Sequence, residues 1–235
     1  MTPDYTHALI LGAGAGLSAS LARKFSSQGL KVSLAARDAG KLAALAAETG
    51  ASAHACDAAQ ASDVAALFEA LDADGAPDVV VYNPSARVRG GIASLDPEAV
   101  RKAVEITALG AFYTAREAAI RMEKQGHGAI LFTGASAGVK GYANSSVFAM
   151  GKFALRGLAQ ALARELQPKG VHVGHFVIDG AIRNPEGGHH RAGPERVEDS
   201  HLSPDAIAES YWHFLRQDRS AWAWEIELRP WVETF

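Results

Sequence analysis

The chain has 235 residues, a formal net charge of -3 and an isoelectric point near 6.3, so it carries no basic field to recruit nucleic acid or an anionic lipid surface. Its single cysteine, Cys56, excludes an internal disulfide and fits a reducing compartment. No apolar run approaches the roughly 20 residues that span a bilayer, and Met1–His7 is polar rather than a signal peptide, so the expectation is a cytoplasmic protein with one large α/β domain over residues 1–235.

Ala8–Leu11 is uniformly apolar and reads as a buried strand. Gly12, Gly14 and Gly16 alternate after it, and Leu17–Gln28 carries an apolar stripe at helical spacing. A strand that breaks into glycine and restarts as a helix makes an anion site. Glycine lets the backbone approach a phosphate with no Cβ in the way, and the free N–H groups of the new helix point at it. At the first strand of an alternating strand–helix chain, this is the dinucleotide-binding arrangement.

Beyond Gly29 the alternation continues. Val32–Ala36 is a second strand closed by Arg37-Asp38, Lys41–Thr49 a helix, and Ala51–Cys56 a third strand ending at Asp57. Ser62–Leu71 is helical, with Ser62 expected as N-cap and Asp63 in the first turn. Pro77 introduces the fourth strand, Asp78–Tyr82, nearly without polar interruption, as when helices cover both faces. A long helical region runs from about Pro97 to Gln125, and Ala129–Thr133 is the fifth strand. Ser145–Leu166 is a second long helix, ended by Pro168 and Gly170, and Val171–Ile178 the sixth strand. Residues 183–202 mix glycine, proline, histidine and charge with little apolar content, and read as a mobile loop or lid. Ser203-Pro204-Asp205 then starts a helix reaching about Gln217, and Ala223–Leu228 makes a seventh strand. The pattern is a Rossmann-type doubly wound parallel sheet of about seven strands with helices on both faces, without linker or repeat.

With this order in hand, the chain resembles the short-chain dehydrogenase/reductase family over essentially its full length. Gly12-x-x-x-Gly16-Leu17-Ser18 matches the family's Gly-x-x-x-Gly-x-Gly, with Ser18 in place of the last glycine. Asp57 stands where the family holds the adenine ring. Tyr82-Asn83-Pro84-Ser85 replaces Asn-Asn-Ala-Gly after the fourth strand, and Asp179-Gly180-Ala181-Ile182 replaces Pro-Gly-x-Val after the sixth. Arg183-Asn184-Pro185 falls where a threonine normally meets the nicotinamide amide. The resemblance implies cofactor contacts from Gly12, Gly14, Gly16, Leu17, Asp57, Asn83, Gly180 and Ile182. It also implies a homodimer or homotetramer packed through the two long helices, to which the small residues Ala149, Gly151, Ala154, Gly157 and Ala161 allow close approach. Arg37 argues for NADP(H) over NAD(H). An acid at the end of the second strand would accept from the ribose hydroxyls and repel a 2′-phosphate, whereas arginine binds phosphate through a charge-assisted fork.

The family's catalytic pattern is broken. Its Tyr-x-x-x-Lys reads Phe148-Ala149-Met150-Gly151-Lys152, its serine falls on Ala135 with Ser136 one place off, and its helical asparagine falls on Thr107. Phenylalanine has no proton to give and alanine cannot orient a carbonyl, so ordinary alcohol–carbonyl chemistry is expected to be crippled. Lys152 retains the family's second role, a hydrogen bond to the nicotinamide ribose. The candidate donors are Lys152, a bound water, Ser136 and Tyr142, and Tyr113 reads as interface or core. His189, His190, Glu186 and His201 fit no structural zinc spacing, so no metal is expected; His172 and His175, on opposite faces of the sixth strand, read as packed. Two functions follow: an NADP(H)-dependent oxidoreductase acting on a small-molecule substrate, for instance a conjugated acceptor protonated by solvent, or a catalytically silent nucleotide-binding protein. The first is favoured.

Overall fold

The computed structural model describes residues 4–183 and 197–232. Its central sheet has seven strands, all parallel: β1 (His7–Leu11), β2 (Lys31–Ala36), β3 (Ser52–Ala55), β4 (Val79–Tyr82), β5 (Gly128–Thr133), β6 (Val171–Ile178) and β9 (Glu225–Leu228). Their order across the sheet is β3-β2-β1-β4-β5-β6-β9. β1, β4, β5 and β6 are buried along their whole length, which is why their sequences are largely apolar rather than alternating.

Alternate residues of each strand feed two separate cores. Ala8, Ile10, Val79 and Val81 face α1 (Leu17–Ser27), α2 (Ala43–Thr49) and α7 (Pro204–Leu215). Leu9, Leu11, Val80 and Tyr82 face α3 (Ala61–Asp72), α5 (Gly110–Gln125) and α6 (Ser146–Leu166). The chain winds outward from β1 in both directions, so the strand order reverses between β1 and β4. In open α/β sheets the crevice outside the carboxyl ends of two such strands is where ligands bind, and it is the candidate site here.

Four boundaries differ from the sequence reading, each for a local reason. Ser62 is not the cap of α3: the helix begins at Ala61 after Gln60 with no side-chain cap, while Asp63 accepts from the Asp57 N–H at 3.2 Å. The long helix expected over 97–125 is divided into α4 (Pro97–Val104) and α5 by a π-turn at Glu105–Leu109. Inside that widened turn the buried Tyr82 hydroxyl donates to the Ile106 carbonyl. The loop read over 183–202 contains a strand at its end: β8 (His201–Leu202) pairs in parallel with β7 (Ala181–Ile182), extended by Arg183 N–H to Leu202 O at 2.8 Å. Residues 184–196, with Glu186, His189 and His190, lie outside the described residues. The last helix stops at Leu215, two residues short of the expected Gln217. Its start matches the reading, with Pro204 at the first helical position and Ser203 Oγ accepting from Ala206 N–H at 3.4 Å. Among the described residues, no helix is long and apolar enough to cross a membrane.

Candidate functional site

The crevice begins at Gly12, whose φ of +72° lies in the left-handed region and which ends β1. A Cβ there would sit 2.7 Å from the Pro84 nitrogen, so only glycine lets the turn pass under the loop after β4. Asn83 locks the two strand ends together. Its N–H donates to Leu11 O at 3.2 Å and its side-chain amide to Ser18 Oγ at 2.7 Å, while Ser18 Oγ donates to Gly12 O at 3.0 Å. Ser18, the departure from the glycine pattern, therefore ties α1 to both sides of the crevice. Gly14 and Gly16 behave differently. A Cβ on either would meet nothing within 4 Å. Gly16 caps α1 without a side-chain hydrogen bond, and the first turn, from Leu17 on, carries no acid. Open space in front of uncapped N–H groups fits a pyrophosphate.

Beside the turn in the sheet stand β2 and then β3, whose ends the resemblance sets at the adenosine. Arg37 is exposed just beyond β2 and has no ion pair among the described residues. Its neighbour Asp38 is engaged elsewhere, accepting from Gly40 N–H at 3.1 Å and pairing with Lys41 at 3.6 Å. Asp57 is half-buried, with its carboxylate held by Ala59 N–H at 3.0 Å.

Ala135 and Phe148 stand at the positions to which the resemblance assigns a serine and a tyrosine. With Ala137 they form a small apolar cluster separate from the two main cores. Phe148 comes from the first turn of α6, and Ala135 precedes a short turn over Ser136–Gly138. The contact between them is hydrocarbon on both sides. Lys152, one turn further along α6, is only 2% exposed and its Nζ donates to Thr133 O at 2.6 Å. Burial, with Arg87 adding repulsion, lowers its pKa to about 7. Thr107 sits in the π-turn, where its Oγ1 accepts from Ala86 N–H at 3.1 Å; a Cβ on Gly151 would come within 2.8 Å of the Thr107 Cβ, so the smallness of Gly151 seats α6 against this turn.

Of the alternative donors, Ser136 is half-buried beside Ala135, and its carbonyl is spent on Val139 N–H and Lys140 N–H. Tyr142 is 46% exposed and lies by Lys140, whose Nζ is 5.7 Å from the ring centroid and 3.3 Å from Asp179 Oδ2. The structure thus groups Tyr142 with Lys140 and Asp179 rather than with Phe148. Tyr113 packs partly buried against the α5/α6 core. Gly180 ends β6 with φ +154° under Pro230 and Leu202, and Ile182 is held in β7, partly buried against the α1/α7 core.

Both β6 histidines are fully buried. His172 is sandwiched between Phe214 and Trp222, with ring centroids 4.1 and 4.2 Å away, and His175 pairs with Glu225 at 2.9 Å. Burial lowers both to about 4, so both are neutral structural rings at neutral pH. Among the described residues no group of three or more His, Cys, Asp and Glu could hold a metal ion.

One residue escaped the sequence reading. Arg87, four residues past Asn83, places its guanidinium carbon 3.9 Å over the Phe148 ring centroid. Burial and the neighbouring Arg89 hold its pKa below the usual guanidinium value. The doublet Arg87-Val88-Arg89 directly after the fourth strand was the available signal; it belongs to no motif, and only the fold brings it over the phenylalanine. The loop is pinned by Gly90 N–H to Asn144 O at 3.1 Å, which joins it to the segment after β5.

Comparison with known proteins agrees with this geometry. Residues 6–183 match the family model described as short chain dehydrogenase. The chain is 31% identical over 176 residues to the 3-dehydrosphinganine reductase TSC10B of Arabidopsis thaliana, covering 72% of this chain but only 53% of that protein, so it spans about half the length of that relative. It is 26% identical over 230 residues to an uncharacterized oxidoreductase of Staphylococcus saprophyticus, covering 95% and 96% of the two chains. Among solved structures, a short-chain dehydrogenase from Rhodopseudomonas palustris superposes with a TM-score of 0.82 at 35% identity, covering 97% of this chain and all of the other. A metagenomic short-chain oxidoreductase in complex with NADP has the same TM-score at 26% identity, covering 97% and 98%.

Proposed function

The chain belongs to the short-chain dehydrogenase/reductase family, a family of NAD(P)-dependent oxidoreductases, and from that premise we propose that it is an NADP(H)-dependent reductase whose small-molecule acceptor takes its proton without a phenol donor. The observation that carries this reading is the pairing of open space at Gly14 and Gly16 with the apolar Ala135–Ala137–Phe148 contact. When bound, the cofactor supplies a hydride to carbon. The backbone of Gly12, Gly14, Gly16 and Leu17 holds the pyrophosphate, Arg37 the 2′-phosphate, Asp57 the adenine, and Asn83, Lys152, Gly180 and Ile182 the nicotinamide half. The NADP found in the metagenomic relative supports the cofactor class, and Arg37 supports the preference over NAD.

Phe148 excludes water from the reacting face and gives it no proton. An acceptor conjugated to an electron-withdrawing group suits such a wall, because its proton goes to carbon and can come from solvent. Lys152, whose pKa is lowered to about 7, is the residue we assign to hold that proton, with Ser136 as the further protic side chain of this end and Tyr142 more remote beside Lys140. Leu109 and Phe112, between the π-turn and the start of α5, and Met150 and Phe153 on α6 leave large apolar side chains exposed, the surface through which we propose a homodimer or homotetramer forms. Cys56 is buried with its thiol pushed up to about 11, which keeps it an inert thiol and accords with a cytoplasmic location.

The test is NADPH oxidation with matched pairs of conjugated and saturated carbonyl compounds, alongside calorimetric titration of NADPH and NADH. Turnover of conjugated acceptors only, with NADPH bound more tightly than NADH, is the expected result. Binding without turnover of any acceptor favours the second reading, a silent nucleotide-binding protein, to which the complete loss of the hydroxyl pair also points. Failure to bind either nucleotide overturns both.

A further inference from the structure

A reductase of this kind could take neutral or charged acceptors, and Arg87 bears on which. Its guanidinium carbon lies over the ring that stands at the position of the family's phenol donor, 3.9 Å from the Phe148 centroid. Lys152 Nζ approaches the same ring from α6, 5.9 Å from the centroid. A phenol oxygen on that ring would project about 2.8 Å from the centroid, so the guanidinium stands close beside the place where a substrate oxygen would otherwise meet the donor. Neither Arg87 nor Arg89 makes an ion pair with an acid among the described residues. This contrasts with Arg23, Arg101, Arg121 and Arg156, each of which meets a glutamate or aspartate. Two cations, Arg87 and Lys152, thus approach one aromatic ring, with no ion pair from Arg87 to an acid among the described residues, and Arg89 adds to their field.

Resting on the reading that this crevice is the reductase site, we propose that the substrate carries a carboxylate, and that Arg87 binds it over Phe148 as the specificity-determining residue. A planar fork matches two carboxylate oxygens bidentately, and the ring beneath the guanidinium leaves its outward N–H groups to meet them. The anion would also supply the counter-charge that Lys152 lacks. Arg87 is held in place from two sides. Its ring contact fixes the guanidinium, and the Gly90–Asn144 hydrogen bond at 3.1 Å fixes the loop that carries it.

The experiment titrates cinnamate and its neutral isostere cinnamamide, by calorimetry, into full-length protein with and without saturating NADPH. Wild type is compared with Arg87→Ala and Arg87→Lys, and NADPH affinity is measured for each. A charge-assisted fork corresponds to a preference of about tenfold or more for cinnamate. Arg87→Ala is expected to abolish that preference, Arg87→Lys to keep part of it, and NADPH affinity to stay within about twofold in both, which also shows that the variants fold. Equal binding of the two probes, no binding of either, or a cinnamate preference that survives Arg87→Ala overturns the proposal. So does a parallel loss of NADPH affinity, which would make Arg87 a cofactor ligand instead. Wild type that binds no NADPH but still prefers cinnamate through Arg87 would sink the reductase reading and leave the carboxylate site standing.

Discussion

At the glycine turn the polar groups are tied to one another: Gly12, Ser18 and Asn83 form a closed set of hydrogen bonds across the point where the strand order reverses. Around Phe148 there is no such set: alanine, alanine and phenylalanine pack together beneath a cation. Both regions follow strands of one parallel sheet, β1 and β4 for the first and β5 for the second. The difference lies in what each region needs. Holding a phosphate depends on backbone N–H groups and the absence of Cβ atoms, which the fold itself provides. Passing a proton depends on particular side-chain atoms, which can be exchanged without disturbing any strand.

The sharpest way to break this comparison is to restore the lost pair. Phe148→Tyr with Ala135→Ser puts a hydroxyl on each side of an existing contact. Lys152 stands 5.9 Å and Arg87 3.9 Å from the ring centroid, two positive groups that favour the ionised phenol. A positioned general acid is worth about 10²–10⁴-fold, so NADPH oxidation with simple aldehydes and ketones should rise by that order while cofactor affinity stays level. A double variant that binds NADPH normally and remains silent would show that the defect extends further, with Thr107 the next position to change.

The opposite region is broken by Gly12→Ala. The left-handed φ and the 2.7 Å approach to the Pro84 nitrogen both oppose a Cβ. The expected loss is about 2–4 kcal/mol of stability, read by thermal denaturation, with NADPH affinity falling together with it. Gly16→Ala is the contrast: its Cβ would enter open space, so the protein should keep its stability and lose affinity alone. Equal destabilisation by the two changes would mean that the turn is not divided into a packed glycine and an open one.

The two regions were unequally legible in the sequence. The strands and the glycine turn could be read because buried parallel strands leave largely apolar runs and because Gly12, Gly14 and Gly16 fall at a strand–helix junction. That a phenylalanine and an alanine stand where the resemblance sets a tyrosine and a serine is plain at Phe148 and Ala135. What the sequence did not convey is which groups surround them. Arg87 lies 61 residues from Phe148 in the chain, and no periodicity links a loop arginine to a helix phenylalanine. The π-turn was hidden for a similar reason: Glu105–Leu109 has ordinary helical composition, and its widening goes with a tertiary contact, the Tyr82 hydroxyl reaching the Ile106 carbonyl. Ser203-Pro204 marked its helix start because a cap is local chemistry, whereas Ser62, equally suited by type, has no such role once the chain enters α3 a residue earlier.

Within the nucleotide half, Arg37→Ala tests the one side chain there proposed to choose between cofactors. A charge-assisted contact to a phosphate contributes about 1.5–3 kcal/mol, roughly ten- to a hundredfold in affinity. NADPH binding should weaken by that factor and NADH binding should not. An unchanged ratio would remove Arg37 from the site.

Lys152 spans the two halves, and its effect is on pH dependence. Its folded pKa, about 7, lies below the ordinary lysine value of about 10.4. Between these values the unfolded chain binds more protons than the folded one, so this group makes stability rise with pH above about 7 and costs most below it. Without cofactor, the stability difference between wild type and Lys152→Met should therefore shift by about 1–2 kcal/mol in favour of wild type between pH 7 and 8.5. Denaturant titrations at the two pH values measure it, and a constant difference would mean that Lys152 stays charged in its burial.

The smallest effect is expected at the one departure from pattern inside the nucleotide half. Ser18→Gly restores the family's glycine and removes the hydroxyl that joins Gly12 O, at 3.0 Å, to the Asn83 amide, at 2.7 Å. Asn83 keeps a weaker path to the same carbonyl at 3.4 Å, so the buried acceptor is not left bare, and the net loss should be about 1 kcal/mol. Because the hydroxyl is turned inward on the turn and Asn83, NADPH affinity should change by less than about threefold. A collapse of affinity with stability unchanged would mean that Ser18 meets the cofactor directly. The nucleotide half would then also have been rebuilt through a side chain, and the contrast between a region held by backbone and one remade by side chains would fail.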